Sequence, residues 1–258
     1  MGFGNSTKVG EEMHRFFVDK RQVSELEIHI DGMDVKHIKN VLRMKIDEEI
    51  VVSDGDNLEY TCFIKQITDD EVIAQIKDVQ KVGLELKSQI YLFQGLPKSD
   101  KMELIIQKAV ELGVYQVIPV AMKRCVVKYD SKKEATKLKR WQEIAKSAAK
   151  QAKRMIIPKV QAIQSFEEAL AMASKLNICL LPYELAVNIE DTKTVLSNIK
   201  PGESIGVFIG PEGGFAETEV ADAIASGAQA ITLGKRILRT ETAGLTMLSI
   251  LMFLMEEA

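Results

Sequence analysis

Residues 204–248 constrain the fold of this 258-residue chain more than any other stretch. Residues 205–209 are apolar and β-branched, which is typical of a short strand buried on both faces of a sheet. The glycine-rich loop 210–215 follows, and Glu217 and Glu219 then occupy the first turn of a predicted helix, where carboxylates favour the positive end of the helix dipole. The glycine loop therefore lies on a strand-to-helix turn, a place where open α/β sheets bind ligands.

A second glycine-containing loop, residues 234–243, follows another predicted strand at residues 230–233. Two such loops at the ends of nearby strands predict a single pocket. A nucleotide triphosphate is disfavoured there, because the first loop lacks the Lys-Ser/Thr ending of a P-loop and the G-x-G-x-x-G spacing, and because Glu212 would repel phosphate. The spacing alone leaves a second interpretation open, in which the glycines only reverse the chain.

The identities of the residues are more specific than their spacing. The last third of the chain contains GPEGGF at residues 210–215 and LG-x-RILR-x-ETA at residues 233–243. Four shorter motifs precede them, namely VLRM at residues 41–44, KME at 101–103, QK-x-x-ELGV at 107–114 and RC at 124–125. In this order the motifs resemble the ribosomal RNA small subunit methyltransferase E family, which belongs to the SPOUT class of trefoil-knotted methyltransferases. The resemblance covers essentially everything from Met13 to the end. The sequence departs from the family pattern at Lys150, where the family usually carries glutamate.

The resemblance implies S-adenosylmethionine as cofactor and N3 of a uridine in small-subunit (16S) ribosomal RNA as methyl acceptor. Apolar side chains would supply the walls of the pocket and glycines its open backbone. The residues predicted to bind the cofactor are Leu181, Pro182, Gly210, Pro211, Glu212, Gly213, Leu233, Gly234, Ile237, Leu238, Thr242 and Ala243. Glu212 has two open roles, since it could lie beside the cationic cofactor or brace the loop by accepting backbone hydrogen bonds.

Arg239 is the predicted catalytic residue, because its place in the second glycine loop would let it hold or polarise the target base. An ion pair with Glu241, or a phosphate contact alone, is the alternative. No histidine lies near the two loops in the sequence, so no general base is assigned.

Positive charge is concentrated in the middle of the chain. Residues 81–160 carry 18 basic and 7 acidic side chains, although the net charge of the whole chain is −3. Such a segment is typical of a surface that binds a polyanion, with a solvated lysine-rich helix as the alternative. The expected partner is small-subunit ribosomal RNA or the assembled small subunit. The predicted RNA-binding residues are Arg15, Arg43, Lys98, Lys101, Lys108, Arg124, Arg154 and Arg236.

Three parts are predicted along the chain. Residues 1–12 lack periodicity and are expected to form a disordered extension, whereas residues 13–82 contain strand-like runs separated by turn signals and predict a small β-barrel. The runs lie at residues 15–18, 26–30, 49–53, 60–67 and 72–79. A helix is predicted at residues 34–44 with Asp34 as its cap. Its apolar face is expected to consist of Val35, Ile38, Val41 and Leu42. The resemblance implies that the barrel is PUA-like and binds RNA.

Residues 83–258 alternate strand-like and helix-like runs, which predicts an α/β domain with a mostly parallel sheet covered on both faces. Two helices are expected to begin with capping boxes, one from Asp100 with Glu103 and one from Ser165 with Glu168. The trefoil knot is implied by the resemblance alone, since chain connections rarely thread through one another.

Residues 240–256 form a predicted helix that is apolar nearly all round. Such a helix is buried in a core or against a partner. The resemblance implies a homodimer through this helix, and simple core burial is the alternative.

The sequence carries no signal for a metal site or a membrane span. The three cysteines (Cys62, Cys125 and Cys179) are widely spaced and read as reduced thiols of a cytoplasmic protein. No histidine or cysteine constellation predicts a metal, and the apolar stretch 243–255 is too short to cross a bilayer.

Three functions remain open at this stage. The first is an RNA uridine methyltransferase, and the second is a catalytically silent RNA-binding factor for ribosome assembly. The third is a small-molecule methyltransferase or nucleotide-binding enzyme of plain α/β type.

Overall fold

The computed structural model describes residues 13–55, 58–81, 83–186 and 188–256. The predicted N-terminal extension, residues 1–12, lies outside these ranges. The chain divides into two compact units between Leu84 and Glu85.

The N-terminal unit is built on a curled five-stranded sheet with strand order β1-β3-β4-β5-β2. The strands are β1 (Arg15–Phe17), β2 (Glu27–Asp31), β3 (Glu49–Ser53), β4 (Leu58–Ile67) and β5 (Glu71–Lys81). Only β1 and β3 pair in parallel, and the other pairs are antiparallel. The five predicted strand-like runs correspond to these strands. Val72 and Ala74 point into the core while Gln75 and Lys77 are exposed, as the period-two pattern predicts.

The helix predicted at residues 34–44 of this unit has a different start and a different form in the structure. Helix α1 (Met33–Lys36) begins after Gly32 and continues as a π-helical turn, His37–Leu42, so Asp34 lies inside the helix and is not its cap. Val41 was predicted to face the core but is 67% exposed. A π turn contains more residues than an α turn, so the side chains after it no longer follow the 3.6-residue period on which the prediction was based.

The C-terminal unit contains a seven-stranded sheet in which every described pair is parallel, as predicted. Its strand order is β12-β10-β11-β6-β7-β8, with β9 also pairing with β7. The strands are β6 (Gln89–Gly95), β7 (Gln116–Ala121), β8 (Lys159–Val160), β9 (Gln164–Ser165), β10 (Ile178–Pro182), β11 (Ser204–Ile209) and β12 (Gln229–Ile231). The helices are α2 (Lys101–Glu111), α3 (Ser131–Gln151), α4 (Phe166–Ala173), α5 (Ile189–Ser197), α6 (Glu217–Ala225) and α7 (Thr240–Met255).

The last helix does not stay beside the strand that precedes it. Strand β12 lies at the edge of the sheet, yet α7 packs against α2 and the central strands β6 and β11. Met247, Leu248 and Leu251 on one face of α7 are fully buried. The chain therefore returns from the sheet edge to the sheet centre between residues 232 and 240, and this return brings the second glycine loop beside the first.

One of the two predicted capping boxes is present. Ser165 accepts a hydrogen bond from the backbone N–H of Glu168, and the Glu168 carboxylate accepts one from the backbone of Ser165. Asp100 precedes α2 but makes no side-chain cap, and the Glu103 carboxylate accepts two hydrogen bonds from Arg140 of α3, at 2.6 and 2.7 Å. The carboxylate that was predicted to cap α2 ties it to α3. Among the described residues, no helix is both long and apolar enough to cross a bilayer.

Candidate active site

The first glycine loop leaves the buried strand β11 and enters α6. Gly214 has a φ of +67°, which L side chains rarely adopt, and its N–H donates to the carbonyl of Pro211. A Cβ on Gly210 would lie 3.2 Å from the carbonyl carbon of Gly214 and 3.3 Å from the nitrogen of Phe215. The loop therefore folds back on itself closely enough that a side chain at position 210 would press on its backbone.

The start of α6 is held by one buried carboxylate. Glu219 is 1% exposed, and it accepts hydrogen bonds from the backbone N–H groups of Ala216 and Lys123. Because Lys123 follows β7, this contact joins the first glycine loop to the end of a second strand. The carboxylate is placed in the first turn of the helix, where the helix dipole favours it.

The second glycine loop is fixed at both ends by threonine hydroxyls. At its start, the N–H of Thr232 donates to Thr192 Oγ1 of α5 at 2.9 Å. At its end, Thr240 Oγ1 donates to the carbonyl oxygen of Gly210 at 2.6 Å. Gly234, with a φ of +109°, makes the turn between them. The two glycine loops thus meet, as the sequence predicted.

A pocket of about 880 Å³ lies between the loops. Nine of the twelve predicted cofactor residues line it, namely Pro182, Gly210, Pro211, Glu212, Leu233, Gly234, Ile237, Leu238 and Ala243. It is also lined by Lys101, Arg236 and Arg239, the first two of which were predicted to contact RNA. Its volume falls in the range of 300–1,000 Å³ that is usual for small-molecule and cofactor sites.

The other three predicted cofactor residues do not line the pocket. Leu181 is fully buried in the hydrophobic core, in one cluster with Phe208 and Phe215. Gly213 faces Arg124, whose Nη1 donates to the Gly213 carbonyl at 3.0 Å. Thr242 lies on the exposed side of α7.

Lys101 bridges two carboxylates at the wall of the pocket. Its Nζ lies 3.1 Å from Glu212 Oε1 and 3.2 Å from Glu241 Oε2. The backbone N–H of Lys98 also donates to the Glu212 carboxylate, at 3.1 and 3.3 Å. Of the two roles left open for Glu212, bracing through a backbone hydrogen bond is therefore present, while the carboxylate also lines the pocket.

These contacts keep both partners charged. Burial acts to raise the pKa of the Glu212 carboxyl, but hydrogen bonds from the backbone and from Lys101 outweigh it and hold the pKa below its ordinary value. Hydrogen bonds to Glu212 and then to Glu241 raise the pKa of Lys101. The wall of the pocket thus presents a fixed carboxylate at neutral pH.

Arg239 is exposed at the N-terminus of α7 and lines the pocket. Within the described ranges, its side chain makes no ion pair, so the alternative pairing with Glu241 does not form. Glu241 pairs with Lys101 instead. The guanidinium is therefore available to a ligand in the pocket.

The prediction that Arg154 binds RNA is wrong. Arg154 is 5% exposed, and its guanidinium donates to the Glu85 carboxylate and to the carbonyls of Val110 and Val114. Four of its five N–H donors are engaged inside the unit and the side chain is buried, so it does not present the guanidinium to a phosphate. Arg154 is therefore a structural residue that joins the start of the unit to the end of α3.

The remaining predicted RNA-binding residues differ in availability. Arg43, Lys98 and Arg236 are exposed. Arg15 is mostly buried in an ion pair with Glu59, and Lys108 is half-buried and paired with Glu111 at 2.8 Å.

Several pocket residues were not singled out from the sequence, namely Tyr183, Glu184, Ala186, Ile189, Gly214, Phe215, Thr232, Lys235 and Thr240. Gly214 and Phe215 belonged to the first motif and could have been included on that ground. Tyr183 and Glu184 follow β10, and their position at the carboxyl end of a parallel strand was the available signal. In the part of the chain that the structure describes, no group of His, Cys, Asp or Glu side chains is arranged to hold a metal ion.

Two family models match the chain. Residues 84–252 match an RNA methyltransferase domain, and residues 30–77 match an RNA methyltransferase PUA domain. The matched segments fall in the C-terminal and N-terminal units respectively.

Characterised relatives match over nearly the whole chain. The ribosomal RNA small subunit methyltransferase E of Bacillus subtilis is 37% identical over 243 residues, which covers 92% of this chain and 95% of the relative. The corresponding protein of Mesomycoplasma hyopneumoniae is 34% identical, with coverages of 92% and 98%. Among solved structures, a ribosomal RNA small subunit methyltransferase E from Neisseria gonorrhoeae bound to S-adenosyl methionine superposes with a TM-score of 0.81. It is 34% identical, with coverages of 94% of this chain and 98% of that one.

Proposed function

Because this chain belongs to the ribosomal RNA small subunit methyltransferase E family, we propose that it methylates N3 of a uridine in small-subunit (16S) ribosomal RNA, with S-adenosylmethionine as methyl donor. Its C-terminal unit has the SPOUT fold and its N-terminal unit is PUA-like. The observation that carries the proposal is the pocket formed where the two glycine loops meet, which combines a fixed carboxylate with Arg239, an arginine without an ion pair among the described residues.

The residues of the pocket suit S-adenosylmethionine. Ile209, Leu233 and Leu238 give apolar walls for an adenine ring, and the open backbone at Gly210 and Gly234 gives it hydrogen-bonding partners. When bound, this cofactor supplies a methyl group activated by a sulfonium charge. Glu212 is anionic and favours a cation nearby, whereas it would oppose the phosphates of a nucleotide.

Arg239 is proposed to hold the target base. N3 of uracil must lose its proton to water before the nitrogen attacks, and negative charge then develops on the ring. A guanidinium at the wall of the pocket stabilises that charge and orients the base. A base inside a structured RNA reaches such a pocket only after it has left its stack.

RNA binding is assigned to the basic middle of the chain and to the PUA-like unit. The exposed candidates are Arg43, Lys98, Arg124 and Arg236. Arg124 also braces the first glycine loop at Gly213, so a phosphate contact there would bear directly on the pocket. Contacts of this kind release counterions, so affinity for RNA is expected to fall steeply with salt.

We also propose that the chain forms a homodimer through α7 and acts in the cytoplasm, where ribosomal subunits are assembled. The buried face of α7 packs within its own unit, but Phe253 is 80% exposed and Leu254 is 43% exposed. Exposed apolar side chains that lie together on a helix are typical of an interface.

Two measurements test the proposal. Calorimetry should detect S-adenosylmethionine binding at micromolar concentrations, and an absence of binding would favour the catalytically silent assembly factor. Mass spectrometry of ribosomal RNA, incubated with the protein either deproteinised or as intact small subunits, should then find 3-methyluridine. Methylation at another atom or of another class of molecule would overturn the assignment.

The role of Arg239 is tested separately. Arg239→Ala should abolish methyl transfer and leave the affinity for S-adenosylmethionine nearly unchanged, because the guanidinium is assigned to the base and not to the cofactor. An equal loss of transfer and of cofactor affinity would show that Arg239 binds the cofactor.

A further inference from the structure

Thr240 makes the direct link between the two glycine loops. Among the hydrogen bonds of the described residues, the 2.6 Å bond from Thr240 Oγ1 to the carbonyl of Gly210 is the one that joins residues 210–216 to residues 232–240. Thr240 is 4% exposed, so water does not compete for this contact. Both residues line the pocket. The family motif read from the sequence leaves position 240 unspecified.

A buried glutamine fixes the direction of this hydrogen bond. Gln94 is fully buried at the end of β6, and its Nε2 donates to Thr240 Oγ1 at 2.8 Å and to the carbonyl of Gly95 at 3.0 Å. Its Oε1 is buried without a hydrogen-bond partner. Since both amide protons of Gln94 are used, the Thr240 hydroxyl accepts from Gln94 and its own proton goes to Gly210.

The acceptor belongs to a tightly packed turn. A Cβ on Gly210 would lie 3.2–3.3 Å from backbone atoms of Gly214 and Phe215, closer than most Cβ contacts. Helix α7 packs in ordinary contact on its side, where a Cβ on Gly244 would lie 3.5 Å from Gln94 Oε1 and 3.7 Å from Ile209 Cγ1. The Thr240 hydroxyl thus makes the direct hydrogen bond between two packed segments, and Lys101 bridges them through Glu212 and Glu241.

From these contacts we infer that Thr240 is a positioning residue for the cofactor. Through its hydroxyl it fixes the carbonyl of Gly210 and the register of the two loops, and Gln94 orients that hydroxyl. The inference rests on the proposed function, since it concerns the pocket assigned to S-adenosylmethionine. Neither Thr240 nor Gln94 is assigned a contact with the reacting atoms.

The experiment compares Thr240→Val with Thr240→Ser by calorimetry with S-adenosylmethionine and by thermal unfolding without it. Valine keeps the shape of threonine but removes the donor to the Gly210 carbonyl and the acceptor for one N–H of Gln94, whose other N–H keeps its bond to Gly95. We expect the dissociation constant to rise about tenfold, the loss that one unmade buried hydrogen bond causes. Serine restores the hydroxyl and should bind within about twofold of the unaltered protein.

The matched control is Thr194→Val. Thr194 is exposed on α5, and its hydroxyl donates to the carbonyl of Glu190 at 2.9 Å. The affinity of the Thr194→Val variant for S-adenosylmethionine should therefore not change. Gln94→Met fills a similar volume and removes the hydrogen bond from Gln94 to the Thr240 hydroxyl, which should weaken binding of S-adenosylmethionine about threefold. If Thr240→Val does not fold, the Gln94→Met variant tests the positioning role in its place.

The outcomes separate the two proposals. If the unaltered protein does not bind S-adenosylmethionine, the proposed function fails. If the unaltered protein binds S-adenosylmethionine, the proposed function stands and the variants test the positioning role. That role is overturned if Thr240→Val binds equally well or loses only thermal stability. It is also overturned if Thr240→Ser binds as weakly as the valine variant.

Discussion

The ammonium group of Lys101 lies between the carboxylates of Glu212 and Glu241, at 3.1 and 3.2 Å. These three side chains come from α2, from the first glycine loop and from the first turn of α7. The lysine was predicted to contact RNA, but its position makes it a brace within the pocket wall. Two carboxylates beside the pocket would repel each other without it.

This arrangement predicts that Lys101→Met weakens S-adenosylmethionine binding several-fold, on the order of one lost charged hydrogen bond. Glu212 would then keep its Lys98 backbone contact but lose the contact that ties it to α7. Lys101→Arg retains the charge and should bind nearly as the unaltered protein does. Calorimetry gives the cofactor affinity, and a filter-binding titration gives the RNA affinity. If Lys101→Met weakens only RNA binding, the result would support the prediction that Lys101 contacts a phosphate of the RNA.

Gly95 lies where the end of β6 meets the first glycine loop. A Cβ there would lie 2.7 Å from both Cδ and the backbone nitrogen of Pro211, and 2.9 Å from Met122 Sδ. Because backbone atoms cannot move aside, Gly95→Ala should destabilise the C-terminal unit by about 1–3 kcal/mol. Urea unfolding measures the change. Gly83→Ala is the matched control, since its Cβ would meet nothing within 4 Å and should leave the unfolding free energy unchanged.

Because Arg154 is buried, its replacement should lower the stability of the protein but leave RNA binding unchanged. Arg154→Met leaves the Glu85 carboxylate without its guanidinium partner, so the unfolding free energy should fall by about 3–5 kcal/mol. The salt dependence of RNA binding, measured at a temperature where the variant is folded, should not change. Lys159→Met, at an exposed position nearby in sequence, should leave stability unaltered. A shallower salt dependence for Arg154→Met would mean that the guanidinium reaches phosphate after all.

How much of the structure could be predicted depends on how far apart along the sequence the contacting residues lie. The strand-to-helix turns, the parallel sheet and the meeting of the two glycine loops follow from patterns within about 15 residues or from the family motifs. Burial of Arg154 does not, because its partner Glu85 lies 69 residues away. Glu103 was spaced as a local cap, and Arg140, 37 residues later, binds it instead.

The orientation of side chains at the pocket was also beyond prediction. Leu181 and Pro182 end a strand that is buried on both faces, so hydrophobicity does not alternate and cannot indicate which of them faces the ligand. The return of the chain from β12 to the sheet centre is a matter of topology. Local patterns carry no information about it, and general rules for chain connections disfavour it.

The contact between Glu103 and Arg140 predicts a pH dependence of stability. A hydrogen bond from Arg140 is the largest cause that holds the pKa of the Glu103 carboxyl below its ordinary value. A carboxyl with a lowered pKa binds fewer protons when folded than when unfolded, so its contribution is present above the unfolded pKa and is lost as pH falls through the folded one. The melting temperature of Glu103→Gln should therefore lie below that of the unaltered protein above about pH 5, and the difference should shrink on acidification. A difference that stays constant with pH would exclude this ion pair as its cause.

The exposed apolar side of α7 predicts that two copies of the chain associate through this helix. Phe253 is 80% exposed at the end of a helix whose opposite face is already packed, so water contacts a large aromatic ring unless a partner covers it. If a second copy of the chain does so, Phe253→Glu places a charge in the interface and should convert a dimer to a monomer, as measured by sedimentation equilibrium. Leu26→Glu, at a residue that is 70% exposed in the N-terminal unit, should leave the dimer intact. A monomeric unaltered protein, or a Phe253→Glu variant that remains dimeric, would exclude α7 as the interface.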